Sequence, residues 1–259
     1  MTITPLVFLA AVNLPTRRGV GGLTRLVSVD RLGEGGAGVE PQGTILPVYF
    51  VADESGSMMS NIAELNNGLV SLQDALQKES FAAAKVRFSV IGFSDAARTY
   101  LEPADLRSLP TMPTLQAGGM TSYAAAFNEL ARRISLDVPA LKGQGFAVNR
   151  PSVFFLTDGQ PNANDDWQNA RSNLLAQHAR PNILAFGIGE SDAATIVEIA
   201  TKPEYAFKAA QGTDTGKAIS EFITSLTQSV IQSGQALASG AAELQMEKPE
   251  GFSLAVDIL

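Results

Sequence analysis

The chain has 259 residues, a formal net charge of −7 and no cysteine, which excludes disulfides, thiol nucleophiles and zinc–thiolate sites. The acidic balance argues against a nucleic-acid partner, because such binding depends on Lys and Arg at phosphates, and no apolar run approaches the ~20 residues that span a bilayer. We expect a cytoplasmic protein, since a cysteine-free chain is compatible with a reducing compartment.

The first 44 residues are predicted to form an extension separate from the main domain. An apolar run over 5–12 resembles a short signal region, but no Lys or Arg precedes it. We interpret it as a β-strand that pairs with a second strand over 23–29. A Gly-rich stretch from Gly33 to Gly43 has the composition of a flexible linker. The predicted domains are therefore a β-rich extension and linker (1–44), a main domain (45–232) and a C-terminal tail (233–259).

The first strand of the main domain ends in oxygen-bearing side chains. The apolar run 46–51 gives way to Asp53, Ser55 and Ser57, and an amphipathic helix begins near Ile62. A carboxylate and two hydroxyls at alternating positions of a tight turn can point inward together, and hard cations such as Mg²⁺ bind such groups. Asp and Ser also cap helices and build turns. On this segment alone, a metal site and a plain strand-to-helix cap both remain open.

Two later segments add oxygen ligands. After predicted strands over 86–93 and 98–102, the sequence Gly118-Gly119-Met120-Thr121-Ser122 precedes a helix, and a buried strand over 152–157 ends at Asp158. In an open parallel sheet, ligands bind in the crevice outside the carboxyl ends of the strands. The loops therefore converge, and one ion can be surrounded by five side chains: Asp53, Ser55, Ser57, Thr121 and Asp158.

The alternation of strands and helices continues to the end of the main domain. The patterns predict helices over 167–177, 193–200 and 218–230, a strand over 182–188, and a last edge strand over 205–208. Such alternation predicts an α/β fold with a mostly parallel sheet covered on both faces.

The three motifs together, Asp-x-Ser-x-Ser, Gly-Gly-x-Thr and a strand ending in Thr-Asp-Gly, resemble those of von Willebrand factor A domains. The resemblance implies a Rossmann-like, doubly wound sheet and a metal-ion-dependent adhesion site. It implies that Ser55, Ser57 and Thr121 coordinate Mg²⁺ or Mn²⁺ directly or nearly so, whereas Asp53 and Asp158 act mainly through water. A partner's carboxylate often completes the shell in this family.

More closely, the sequences around Leu46, Asp158 and Gly187 are similar to the bacterial branch associated with tellurium-resistance and stress-response operons. This resemblance implies a protein partner that presents Asp or Glu, such as a Ser/Thr kinase-like or phosphatase-like protein, or an AAA+ ATPase. Glu54 occupies a position that is more often a small polar residue in the family. We expect it to tune the charge around the ion.

Two other interpretations of the ion remain open. A Mg²⁺- or Mn²⁺-dependent phosphoester hydrolase would use the same ion to polarise a phosphoryl oxygen or activate water. No general acid or base with a matching lysine is evident, so a binding module rather than an enzyme is favoured. Alternatively, the ion holds three loops together and has a purely structural role.

Several other candidate sites have simpler explanations. His178, the only histidine, is interpreted as a helix-terminal or solvated residue rather than a catalytic one. The segment from Gly212 to Lys217 lacks residues that a phosphate loop needs, so helix capping is preferred. Asp165 and Asp166 are predicted at the amino end of the helix that starts with Trp167, with a second possible role at the rim of the metal crevice.

Overall fold

The computed structural model describes residues 42–241 and 244–259, so the predicted N-terminal strand pair lies outside the described residues. A short 3₁₀ helix, Gly56–Ser60, follows the first strand. The described strands and α-helices are, in chain order, β1 (Thr44–Asp53), α1 (Ile62–Lys78), α2 (Ser80–Ala83), β2 (Val86–Phe93), β3 (Ala97–Ala104), α3 (Tyr123–Gly143), β4 (Ala147–Val148), β5 (Ser152–Thr157), α4 (Trp167–Leu175), β6 (Asn182–Gly187), α5 (Ala193–Ile199), β7 (Ala206–Ala209), α6 (Thr215–Ala238) and β8 (Phe252–Leu254).

The strands form one sheet in the order β3-β2-β1-β5-β6-β7-β8, and β4 pairs with the start of β1. β3 and β8 are antiparallel to their neighbours, whereas the strands between them are parallel. This arrangement confirms the predicted α/β fold with a mostly parallel sheet. From β1 the chain moves to β2 on one side and later to β5 on the other. The carboxyl ends of β1 and β5 therefore flank the crevice where ligands bind in such sheets.

Helices cover both faces of the sheet. Successive residues of a strand point to opposite faces. Val48 and Phe50 of β1 belong to the core that includes residues of α1 and α6, whereas Tyr49 and Val51 belong to the core that includes residues of α3, α4 and α5. Burial on both faces explains why β1 is a continuous apolar run instead of an alternating pattern.

The strand predicted over 205–208 is present as β7, but it is not the edge of the sheet. Phe252–Leu254 returns and pairs with it as β8, in the register Phe207–Leu254. Helix α6 runs on to Ala238, so the domain boundary predicted at residue 232 falls within this helix. Within the described ranges, no helix combines the length and the apolar character that crossing a membrane requires.

A row of serines on α6 holds the segment that leads to β8. Ser229 Oγ accepts from Glu247 N at 2.9 Å, and Ser233 Oγ accepts from Gln245 N at 2.9 Å. The Ser225 and Ser233 hydroxyls donate to the carbonyls of the same two residues. These hydroxyls satisfy backbone groups that have no partner strand at this position. We call Ser225, Ser229 and Ser233 the serine row.

Candidate functional site

The five predicted side chains lie where β1, β5 and the start of α3 meet. Asp53 is the last residue of β1, and Asp158 directly follows β5. β1 and β5 are neighbours, with Ala52 opposite Leu156. Thr121 precedes Ser122, which caps α3 by accepting from Ala125 N at 3.1 Å. The structure thus places the three motifs at one edge of the sheet.

Hydrogen bonds join the Asp-x-Ser-x-Ser turn to the end of β5. Asp53 Oδ1 accepts from Ser55 N at 2.8 Å, and its Oδ2 accepts from the Thr157 hydroxyl at 2.6 Å. The hydroxyl oxygens of Ser55 and Ser57 are 3.0 Å apart. Ser57 donates to Asp158 Oδ1 at 2.7 Å. Four of the five predicted ligands are therefore linked in one chain of contacts.

Hydrogen bonds join the loop that carries Thr121 to the Asp-x-Ser-x-Ser turn and to the loop that follows β5. Gly56 N donates to Gly119 O at 2.9 Å. Thr121 N donates to Asn162 Oδ1 at 3.0 Å, and Asn162 N donates to Thr121 O at 2.8 Å. The Thr121 hydroxyl lies 4.0 Å from the position that a β-carbon on Gly159 would occupy. This distance brings the hydroxyl near the residue that follows Asp158.

The site has buried negative charge with no compensating cation among the described residues. Asp53 is fully buried and Asp158 is 7% exposed. Within residues 42–241 and 244–259, neither carboxylate forms an ion pair with Lys, Arg or His. Burial raises the pKa of Asp53 to about 6 and also raises the pKa of Asp158. A bound cation would remove this cost.

The donor set fits a hard divalent ion. The part of the chain that the structure describes contains no cluster of three His, Cys, Asp or Glu that could hold a metal. A site here therefore requires the hydroxyls of Ser55, Ser57 and Thr121 in addition to the two carboxylates. All five donors are oxygen, which suits Mg²⁺ or Mn²⁺ better than metals that prefer nitrogen or sulfur.

Three acceptors that the motifs do not include fix the Thr121 loop. Asp95 Oδ1 accepts from Met120 N at 3.1 Å. Asp165 accepts from the Ser122 hydroxyl and from Ala124 N. Glu54 accepts from Gln116 N and Gly118 N through its side chain and its carbonyl. Since each acceptor is distant in sequence from its donor, only the folded chain reveals these contacts.

Asp165 and Asp166 lie directly before α4, as predicted, but the Asp165 side chain accepts from Ala124 N at the start of α3. Asp166 is the residue before α4, but its side chain makes no capping bond to the backbone. Trp167 is 4% exposed and packs against Tyr123 and Phe127, with ring centroids 5.8 and 6.1 Å apart. The capping interpretation of Gly212–Lys217 is confirmed, since Asp214 Oδ1 accepts from Lys217 N at 2.9 Å.

The Glu54 carboxylate points away from the predicted ligands. It is 5% exposed and lies beside Tyr100, with its Oε1 2.8 Å from Gln116 N. A β-carbon on Gly92 would collide with its Oε2. Burial raises the pKa of Glu54. The contacts favour a role in positioning the loop of residues 116–121 over the charge-tuning role that the sequence led us to expect.

We expect Glu54→Gln to bind Mn²⁺ almost as tightly as the unmodified protein, because an amide oxygen can still accept from Gln116 N. Glu54→Ala removes that acceptor and should weaken binding by about 10- to 100-fold, the typical effect of losing an outer-shell partner. Isothermal titration calorimetry with Mn²⁺ measures the affinity of both variants. Glu64→Gln, at an exposed position of α1, is the control. Equal weakening in the Gln and Ala variants would instead indicate that the charge matters.

His178 lies just before β6, at the opposite edge of the sheet from Asp53 and Asp158. Because a six-residue strand is about 20 Å long, His178 cannot act on the same substrate atom as these carboxylates. The interpretation as a solvated residue near a helix end agrees with its exposed position after α4.

The family model of the von Willebrand factor type A domain matches residues 48–225, a range that contains all five predicted ligands. No curated protein matches the chain in sequence.

Two solved structures illustrate the structural likeness. The pilus adhesin SpaC from Lactobacillus rhamnosus GG, in its open conformation, has a TM-score of 0.57 and 13% identity, and the match covers 75% of this chain and 31% of the adhesin. Proximal thread matrix protein 1 from the mussel byssus, with a zinc-occupied MIDAS motif, has a TM-score of 0.52 and 17% identity, with coverage of 74% and 49%. At these identities the likeness shows a shared fold, and this chain spans less than half of either protein.

Proposed function

Because this chain belongs to the von Willebrand factor type A domain family, we propose that it binds an acidic side chain of a partner protein through a divalent ion. The observation that carries the proposal is the pair of buried carboxylates, Asp53 and Asp158, which lack a cationic partner in the described residues and lie beside the hydroxyls of Ser55 and Ser57. The ion, when bound, supplies an open coordination position for a carboxylate oxygen.

The chain's own residues bind and orient the ion in this proposal. Asp53 and Asp158 balance the charge of the ion. The family resemblance implies that they do so mainly through bound water. The hydroxyls of Ser55, Ser57 and Thr121 fix its place in the crevice. Mg²⁺ or Mn²⁺ is the proposed ion, because the donors are all oxygen, although the mussel protein with this fold holds zinc.

The identity of the partner protein is also a proposal. The family resemblance favours a Ser/Thr kinase-like or phosphatase-like protein, or an AAA+ ATPase, in a cytoplasmic bacterial stress or tellurium-resistance system. These candidates share the need for an exposed Asp or Glu that can reach the ion. Identification of the proteins encoded beside this one would separate the candidates.

Thr121→Ala should weaken Mn²⁺ binding by about tenfold or more, because one of the proposed ligands is lost. The free energy of unfolding in chelator should change by less than ~0.5 kcal/mol, since Thr121 lies in a loop outside the core. Titration calorimetry and urea denaturation measure the two effects. Thr224→Ala, which removes an exposed threonine hydroxyl from α6, is the control.

Capture of partner proteins on the immobilised chain, with and without chelator, tests the binding function itself. Capture that is undiminished by chelator and by Thr121→Ala would refute the role of the site. Metal-dependent turnover of a phosphoester such as p-nitrophenyl phosphate, lost on substitution of Asp53, would instead establish the hydrolase alternative.

A further inference from the structure

A groove lies at the edge of the sheet opposite the ion site. It has a volume of about 390 Å³ and runs between the second half of α3 and the segment before β6. A smaller concavity of about 180 Å³ adjoins it and shares Val138, Lys142, His178 and Ala179. The two form one continuous depression, which we call the α3 groove.

The floor of the α3 groove is apolar. Its lining includes the exposed Pro139, the partly exposed Ala179 and the edge of Val138, and the fully buried Ile134 lies behind them. Pro139 is inside α3 and has no N–H, so the carbonyl of Ser135 lacks its usual helical donor. A ligand with apolar side chains and backbone donors would match such a floor.

The rim of the α3 groove is basic. Lys142, Arg150 and Arg180 are exposed and line the depression together with His178. Among the described residues, none of the three side chains of Lys142, Arg150 and Arg180 forms an ion pair with a carboxylate. Asp137 is on the same helix, but its carboxylate bonds inward to Tyr49 and Arg133. In a chain with a net charge of −7, this is a local concentration of uncompensated positive charge.

We propose that the α3 groove binds an acidic peptide segment of another protein, in which carboxylates alternate with apolar side chains. The cations on the rim complement the carboxylates, and the apolar floor takes the intervening side chains. The side chains that line the groove include no Phe, Tyr or Trp on which bases could stack, and the overall negative charge of the chain repels a nucleic acid.

The location of the groove makes the domain able to hold two ligands at once. Helix α3 has 21 residues and is therefore about 30 Å long. Thr121 precedes its first turn, whereas Lys142 is in its last turn. The α3 groove therefore does not depend on the ion or on the function proposed for the ion site.

The probe for this proposal is a fluorescein-labelled decapeptide that alternates Glu and Leu, titrated against the full chain in EDTA by fluorescence anisotropy. We expect saturable binding that weakens as ionic strength rises, because the rim charges are exposed and screened by salt. Lys142→Glu combined with Arg180→Glu should weaken binding by about tenfold or more. Asp53→Asn should leave it unchanged, which separates this site from the ion site.

Matched controls test both the charge and the apolar requirement. Lys78→Glu combined with Lys248→Glu changes the net charge equally at exposed positions elsewhere and should have less than a twofold effect. A Glu–Ser peptide should bind about tenfold more weakly, because it leaves the floor uncovered. The proposal is overturned by absent binding, by equal weakening in both charge-reversed proteins, or by equal affinity for the Glu–Ser peptide. Binding to anionic phosphatidylserine vesicles in preference to the Glu–Leu peptide would also overturn it.

Discussion

Asp53→Asn is expected to weaken divalent-ion binding by about 100-fold and at the same time to stabilise the ion-free protein. The carboxyl of Asp53 is fully buried, and burial raises its pKa from an ordinary 3.8 to about 6. Its charge therefore opposes folding near neutral pH. Asparagine keeps an oxygen to accept from Ser55 N, and its amide can donate to the Thr157 hydroxyl, so the geometry survives without the charge.

The gain in free energy of unfolding should be on the order of 3 kcal/mol near pH 7, since the pKa of Asp53 rises from 3.8 to about 6 and one pKa unit corresponds to ~1.4 kcal/mol. The sign follows from the raised pKa. The folded state favours the neutral carboxyl, so the penalty is full above pH 6 and absent below the unfolded pKa near 3.8. The advantage of the variant over the unmodified protein should therefore disappear as the pH falls through this window.

Guanidinium denaturation in EDTA at several pH values measures the stability, and calorimetric titration with Mn²⁺ measures the binding. The loss of affinity should reach about 100-fold, the upper end of the range for outer-shell partners, because the variant also removes one of the two negative charges at the site. Asp74→Asn, which neutralises an exposed carboxylate on α1, controls for net charge. A variant that still binds Mn²⁺ as tightly as the unmodified protein would remove Asp53 from the site.

Phe186→Ala is expected to cause the largest loss of stability. This residue of β6 is fully buried, and four other phenylalanine rings surround it at centroid distances of 4.8 to 6.3 Å. Truncation removes the contacts with all four rings and leaves a cavity. The free energy of unfolding should fall by about 4 kcal/mol.

Phe81→Ala is the matched control, because this ring on α2 is 69% exposed and its loss should change the stability by less than ~0.5 kcal/mol. Urea denaturation compares the two variants. A loss below ~1 kcal/mol for Phe186→Ala would contradict the central place of this ring in the core.

The parallel strands and the proposed ion ligands were predictable because both depend on local patterns. A strand buried on both faces is a continuous apolar run, as in residues 46–51, and it can be recognised without knowledge of its neighbours. Asp53, Ser55 and Ser57 lie within five residues of one another, and the rule for carboxyl ends of parallel strands brings Thr121 and Asp158 to the same edge.

The contacts that escaped prediction depend on groups far apart in the chain. Glu54 accepts a hydrogen bond from Gln116 N, and Asp165 accepts one at the start of a helix that begins 42 residues earlier. Neither contact produces a periodic pattern in the sequence. The end of α6 was not predicted for the same reason. Small polar residues such as Ser233 resemble a fraying helix end, but they are buried by the returning segment 244–247.

The spacing of the serine row limits how α6 can move. Ser225, Ser229 and Ser233 recur every four residues, so each turn of the helix offers a hydroxyl to the same backbone segment. Because the serines are four residues apart, which is about 6 Å along the helix, an axial shift of α6 by half that distance would separate all three hydroxyls from their backbone partners. The serine row therefore fixes the axial position of α6 relative to the returning segment.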